Sequence, residues 1–148
     1  MREILFRGKR TSNGEWVEGY LVKGRWYIDE SPITAIIPLD NTFYPHCEIE
    51  GWHEVIPETI GQYTGLTDKN GKRIFEGDIV KTERTLWSGE NKKEREVFCS
   101  VVRYSEKDCS FGLHGKYRHL TIFRFKGDWN EVIGNIHDHP KLIKEGTQ

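Results

Sequence analysis

The sequence predicts a mainly β protein of antiparallel strands, and three observations carry that expectation. Fifteen Gly and five Pro are interspersed along the chain, cutting it into short pieces as a fold with many turns requires. The pieces are rich in β-branched and aromatic residues, and no long segment repeats apolar residues at the 3.6-residue period of a helix. Five Trp, six Tyr and seven Phe supply large side chains for a core although charged residues reach 30%, which argues against disorder. A chain of 148 residues can build one domain core or two small subdomains.

Ile4 to Arg7 begins a strand, and Asn13-Gly14, a pair that accepts positive φ, closes a first hairpin. Glu15 to Lys23 and Arg25 to Ile28 read as two antiparallel strands joined at Lys23-Gly24, with Trp16, Tyr20, Trp26 and Ile28 giving apolar surface to a small sheet. The apolar run Ile33 to Leu39 is bounded by Pro32 and Pro38, and Asp40 to Gly51 is a polar connection that carries Phe43 and Tyr44. A boundary near Pro57 divides an N-terminal β subdomain, 1–58, from a C-terminal one, 59–148.

Beyond it, Asn70-Gly71 marks a tight turn. Ile79 to Thr85 continues as a strand paired with Lys92 to Tyr104, where Val97, Cys99 and Val101 alternate against Phe98, Ser100 and Val102. Ser110 to His114, Tyr117 to Phe125 and Val132 to Ile136 are short segments separated by Gly112, Gly115, Gly127 and Gly134, a spacing that favours a small barrel. Pro140 to Lys144 has room for one final helical turn.

Composition removes several classes of function. No stretch approaches a transmembrane helix, and Met1 to Arg10 is too charged for a signal peptide, so the expectation is a cytoplasmic protein with no membrane partner. Cys47, Cys99 and Cys109 are odd in number and lack CxxC spacing, which indicates neither a disulfide framework nor a cysteine zinc site. No phosphate-binding glycine motif occurs, and no cofactor is expected. The net charge of −1 conceals an asymmetry: residues 1–60 hold 6 basic and 10 acidic side chains, a net −4, and residues 61–148 hold 16 and 13, a net +3. Opposite signs favour association of two subdomains or two subunits, within the reach that salt allows.

The candidate binding surface is the acid-free stretch from Leu113 to Lys126. Lys116, Arg118, Arg124 and Lys126 would neutralise phosphates or contact a partner, and Tyr117, Phe123 and Phe125 could stack on bases. Strand alternation places the two Phe opposite Arg118 and Arg124, so a solvated strand face explains the basic residues more simply, and the chain lacks the overall basic excess of a nucleic-acid binder. His137-Asp138-His139 could present two imidazoles to one side, with His46, Cys47 and His53 as distant companions, but two ligands do not make a metal site and none is assigned. Asp78 is explained as a turn-capping carboxylate and Cys99 as a small buried side chain, which leaves no catalytic constellation.

The most specific segment is Gln62 to Val80, Q-Y-T-G-L-T-D-K-N-G-K-R-I-F-E-G-D-I-V. Gly65 and Gly71 free the backbone at bends, Asp68 and Asn70 can bond nearby main-chain N–H groups, and Gly77-Asp78 repeats that logic before Ile79 and Val80 enter a strand. This segment resembles the hallmark of the YopX-like family of phage and prophage proteins. Val132-Ile133-Gly134-Asn135-Ile136 followed by Pro140 and Leu142 resembles its closing motif, and M-R-E-I-L-F-R-G its usual start. The resemblance implies a mainly β fold with an SH3-like C-terminal barrel and a phage or prophage origin, and it brings no catalytic residues. The expected function is a noncatalytic binding or assembly module with a protein partner or with itself. The alternatives are nucleic-acid binding through Lys116, Arg118, Arg124 and Lys126, and a small metal-dependent enzyme.

Overall fold

The structure is a computed structural model and describes residues 3–39, 51–88, 92–116, 120–121 and 129–145. The chain divides into two compact units, residues 1–63 and 64–148. Its strands are β1 (Phe6–Lys9), β2 (Trp16–Arg25), β3 (Pro32–Pro38), β4 (His53–Glu54), β5 (Gly61–Thr67), β6 (Arg73–Phe75), β7 (Asp78–Ser88), β8 (Lys92–Ser105), β9 (Ser110–Gly115), β10 (Leu120–Thr121) and β11 (Asn130–Asn135), followed by a short helix α1 (Lys141–Glu145). The fold is mainly β and antiparallel, as the sequence predicts.

In the first unit the strand order is β4-β3-β2-β1-β5. Asn13 shapes the β1–β2 turn: its Oδ1 accepts from the Glu15 N–H at 3.0 Å and its amide donates to Glu15 Oε2 at 2.8 Å. Val17, Ile36 and Val55 form the buried cluster, with Phe6, Leu21 and Ile60 packed against it. Thr59 ties the 3-10 turn Pro57–Thr59 to β1, accepting from the Lys9 N–H at 2.9 Å and donating to the Ile56 carbonyl at 2.7 Å.

One expected break is not there. The chain does not reverse at Lys23-Gly24, because β2 runs on through Gly24, which sits opposite Ile33 in an unbroken ladder with β3. The reversal falls at residues 26–31, where the Trp26 N–H bonds the Ser31 carbonyl and the Glu30 N–H bonds the Trp26 carbonyl, both at 2.9 Å. Trp26 and Ile28, expected to give apolar surface to a sheet, therefore stand at a hairpin tip.

The second unit contains the later part of β5, its neighbour β6, and a five-stranded sheet of order β10-β9-β8-β7-β11. β7 and β8 form a long ribbon from Ile79↔Val101 to Ser88↔Lys92, the pairing expected from sequence. Ile74, Val80, Val102, Phe111 and Leu113 make the core, joined by Leu66 and Val132. The alternation along β8 holds at Phe98, Ser100 and Val102, which are buried, against exposed Val97 and half-buried Cys99. It fails at Val101, whose outward face is also buried, at a cavity that Ile143 of α1 helps to line.

The expected SH3-like closed barrel is not formed among the described residues. The sheet is open, with β10 at one edge and β11 at the other, and closure would require those edges to pair with each other. β10 has two residues, and β11 carries a register shift between Val132 and Gly134, features that end a ladder rather than extend it.

A buried polar pair joins β7 to β11. The Thr82 hydroxyl donates to Asn130 Oδ1 at 2.8 Å, with the two residues 0% and 1% exposed. Replacing Thr82 by Val keeps the shape and deletes this bond, so thermal unfolding of Thr82→Val is expected to show a loss of about 1–3 kcal/mol. A variant as stable as the wild type would show that the pair does not hold β11 in place.

Candidate interaction surface

Of the four basic residues singled out in the sequence, Lys116 lies within the described residues, and Arg118, Arg124 and Lys126 lie outside them. Lys116 is exposed, and its ammonium is 2.7 Å from Glu96 Oε1, while Arg84 Nε is 2.5 Å from Glu96 Oε2. The Arg84 guanidinium also sits 5.4 Å from the centroid of the Phe98 ring. Two cations thus share one anion, and the trio keeps a single net positive charge.

The other polar candidates have structural work. Asp78 accepts from the Phe75 N–H at 2.8 Å, closing the bend at Gly77, where φ of +83° suits glycine. Asn135 Oδ1 accepts from the N–H groups of His137 and Asp138 at 3.0 and 2.9 Å, and its amide donates to Asp138 Oδ2 at 2.9 Å. His139 packs over Gly134, where a Cβ would come within 2.8 Å of the imidazole Nδ1. The His137-Asp138-His139 segment is therefore folded around Asn135. Among the described residues no group of three or more His, Cys, Asp or Glu could hold a metal ion, and His46 and Cys47 lie outside them. None of the described helices is long and apolar enough to cross a membrane.

The surface that the sequence pattern did not reveal is the β2–β3 tip. Tyr27 is 99% exposed and Ile28 94% exposed, on a turn whose backbone is held in shape. Asp29 Oδ1 accepts from both the Ser31 N–H at 3.0 Å and the Ser31 hydroxyl at 2.7 Å. The hydroxyl bond, followed by the backbone bond, holds the Asp29 carboxyl below its ordinary pKa. Trp26 tilts against Trp52 with ring centroids 5.6 Å apart, anchoring the base of the turn. The result is a fixed bend that offers two apolar side chains followed by two acids, Asp29 and Glu30. The signal in the sequence was Asp29-Glu30-Ser31-Pro32, an Asp two residues before a Ser that precedes Pro.

A second feature lies on the outward face of the C-terminal sheet. Ile79, Cys99, Val101 and Ile143 give apolar lining to a cavity of about 100 Å³, with His114 and Lys116 at the same opening. Lys81 lies opposite Cys99 in the β7–β8 register.

The family model described as YopX protein matches residues 5–144. Among solved structures, the crystal structure of protein EF1440 from Enterococcus faecalis is similar, with a TM-score of 0.57 and 25% sequence identity, covering 97% of this chain and 99% of that one. Among curated proteins none is significantly similar to the chain. The match from Leu5 to Lys144 runs from the first buried residue of β1's approach into α1, and the chain belongs to the YopX family.

Proposed function

We propose that this protein is a noncatalytic binding module of phage or prophage origin, acting in the host cytoplasm, that engages a protein partner through the β2–β3 tip. The observation that carries this function is the pair Tyr27 and Ile28, almost wholly exposed on a turn that hydrogen bonds already hold in shape. An aromatic and a branched aliphatic side chain in a fixed bend give contact area at little ordering cost. Six of the buried polar side chains among the described residues serve the fold, which supports the noncatalytic side of the reading. Thr64 donates to the Ile74 carbonyl at 2.9 Å, and Asp68, Asp78, Thr82, Asn130 and Asn135 are committed to turns or strand pairing.

The test compares tagged wild type with Ile28→Asp, recovered from cells in which the phage is growing, with bound protein and nucleic acid identified. A defined protein should be depleted by about tenfold or more in the variant, the effect of losing about 1.4 kcal/mol. Equal recovery by both proteins would remove the tip from the binding surface. Salt-sensitive recovery of DNA or RNA instead would favour the basic residues Lys116, Arg118, Arg124 and Lys126.

A further inference from the structure

The tip and the outward cavity match each other in chemistry, and we infer that the partner of the tip is a second copy of this chain, joined tip to cavity. This rests on the binding-module function proposed above. The cavity of about 100 Å³ has an apolar lining from Ile79, Cys99, Val101 and Ile143, room for one branched aliphatic side chain such as Ile28. At its opening Lys116, with half of its side chain exposed, is 2.7 Å from Glu96, which Arg84 also pairs. Lys81, across from Cys99 in the register, is 3.5 Å from Glu83, which Arg95 also bonds, so each anion is shared by two cations and the rim keeps a net positive charge. The tip carries the complementary order, Tyr27 and Ile28 followed at once by Asp29 and Glu30. Inserting Ile28 brings the two carboxylates to the cationic rim. The same complementarity holds for the whole chain, since residues 1–63 sum to −4 and residues 64–148 to +3.

Anionic partners fit the tip poorly, because Asp29 and Glu30 would face their phosphates. Tip and cavity are different surfaces, so the contact is heterologous, and copies joined this way build a ring or an open chain rather than a two-fold dimer. A single insertion covers little area and is weak alone, gaining strength when a ring closes.

Sedimentation and light scattering of the full chain from about 10 μM to about 1 mM test this, a range suited to a contact below the size of a stable interface. The wild type should grow in mass with concentration and shrink as salt rises. Ile28→Asp in the tip and Lys116→Glu at the rim change exposed residues, and each alone should abolish that growth. Mixed in equal amounts, they should form a heterodimer and stop there, because the first retains a working cavity and the second a working tip. Reversing one tip charge with Glu30→Lys in the Lys116→Glu background, which leaves Asp29 to hold the turn, should restore self-association.

Three results would overturn the inference: a wild type that stays monomeric throughout, an oligomer indifferent to both variants, or single variants that fail to pair when mixed. A monomeric wild type that still captures a tip-dependent protein from phage-producing cells would overturn the second-copy assignment and leave the binding module standing. A monomer whose recovery from cells is also indifferent to Ile28→Asp would overturn both.

Discussion

Gly19→Ala is expected to destabilise the protein by about 3 kcal/mol or more, at the upper end of what an added methyl in a packed region costs. Gly19 lies in the middle of β2, paired with Phe6 of β1 on one side and Pro38 of β3 on the other. A Cβ placed there would lie 1.9 Å from the Ile37 carbonyl oxygen, 2.7 Å from its carbon and 3.0 Å from the Pro38 Cα. All three are backbone atoms of a strand held by its own ladder, so no side chain can swing away. β3 would have to retreat by about 1 Å, which loosens the hydrogen bonds that hold both strands. Thermal unfolding should place the midpoint roughly 10–20 °C below the wild type. Gly24→Ala, in the same strand, is the internal control. The nearest atom to its Cβ is Ile33 Cγ2 at 3.6 Å, an ordinary contact, and removing a glycine from a strand interior is neutral or favourable by about 0.5 kcal/mol. Equal midpoints for the two variants would refute the close approach of β3 to Gly19.

The contrast between these glycines also shows how far the fold was legible. The β class, the β7–β8 pairing and the Asn13-Gly14 and Asn70-Gly71 turns all follow from features within a few residues of one another. Gly24 read as a turn because Gly often is one, yet it is kept in a strand by its place opposite Ile33 in the ladder, and the Asp29–Ser31 turn closes the hairpin beyond it. Moving the reversal by a few residues carried Trp26 and Ile28 from an expected sheet surface to an exposed tip. The barrel failed for a similar reason, since closure depends on what β10 and β11 meet, and neither strand announces a partner locally. Lys116 read as a free cation because its counter-ion, Glu96, lies twenty residues away and reaches it only through the β8–β9 register. The family hallmark, by contrast, was legible in both identity and role. Asp68, Gly71, Gly77 and Asp78 form turns, whereas Gly65, expected at a bend, lies within β5 at a φ of +87°, and the surface proposed for binding lies outside the hallmark.

Asp68 is where that hallmark should prove most sensitive. It is 5% exposed; its Oδ1 accepts from the N–H groups of Asn70 at 2.8 Å and Lys72 at 2.9 Å, and its Oδ2 accepts from the Val132 N–H at 3.0 Å. One carboxylate therefore closes the β5–β6 turn and pins β11 at its register shift. Burial opposes the charge and is the largest single influence, but the three N–H groups and the nearby Lys72 together outweigh it and lower the pKa from its ordinary 3.8. A depressed carboxyl contributes stability that is complete above its unfolded pKa and is lost as pH falls through the folded value. The wild type should therefore lose this contribution below about pH 4. Asp68→Asn preserves the shape, yet its single oxygen can serve the Asn70 and Lys72 side while its amide turns a donor toward the Val132 donor. Urea titrations at neutral pH should show a loss of about 2–4 kcal/mol. The gap between wild type and variant should narrow as the pH is taken from about 5 to about 2, because acid removes the same charge from the wild type that the substitution removes at every pH. A gap of constant size across that range would mean that the hydrogen bonds to Asp68 need its shape but not its charge.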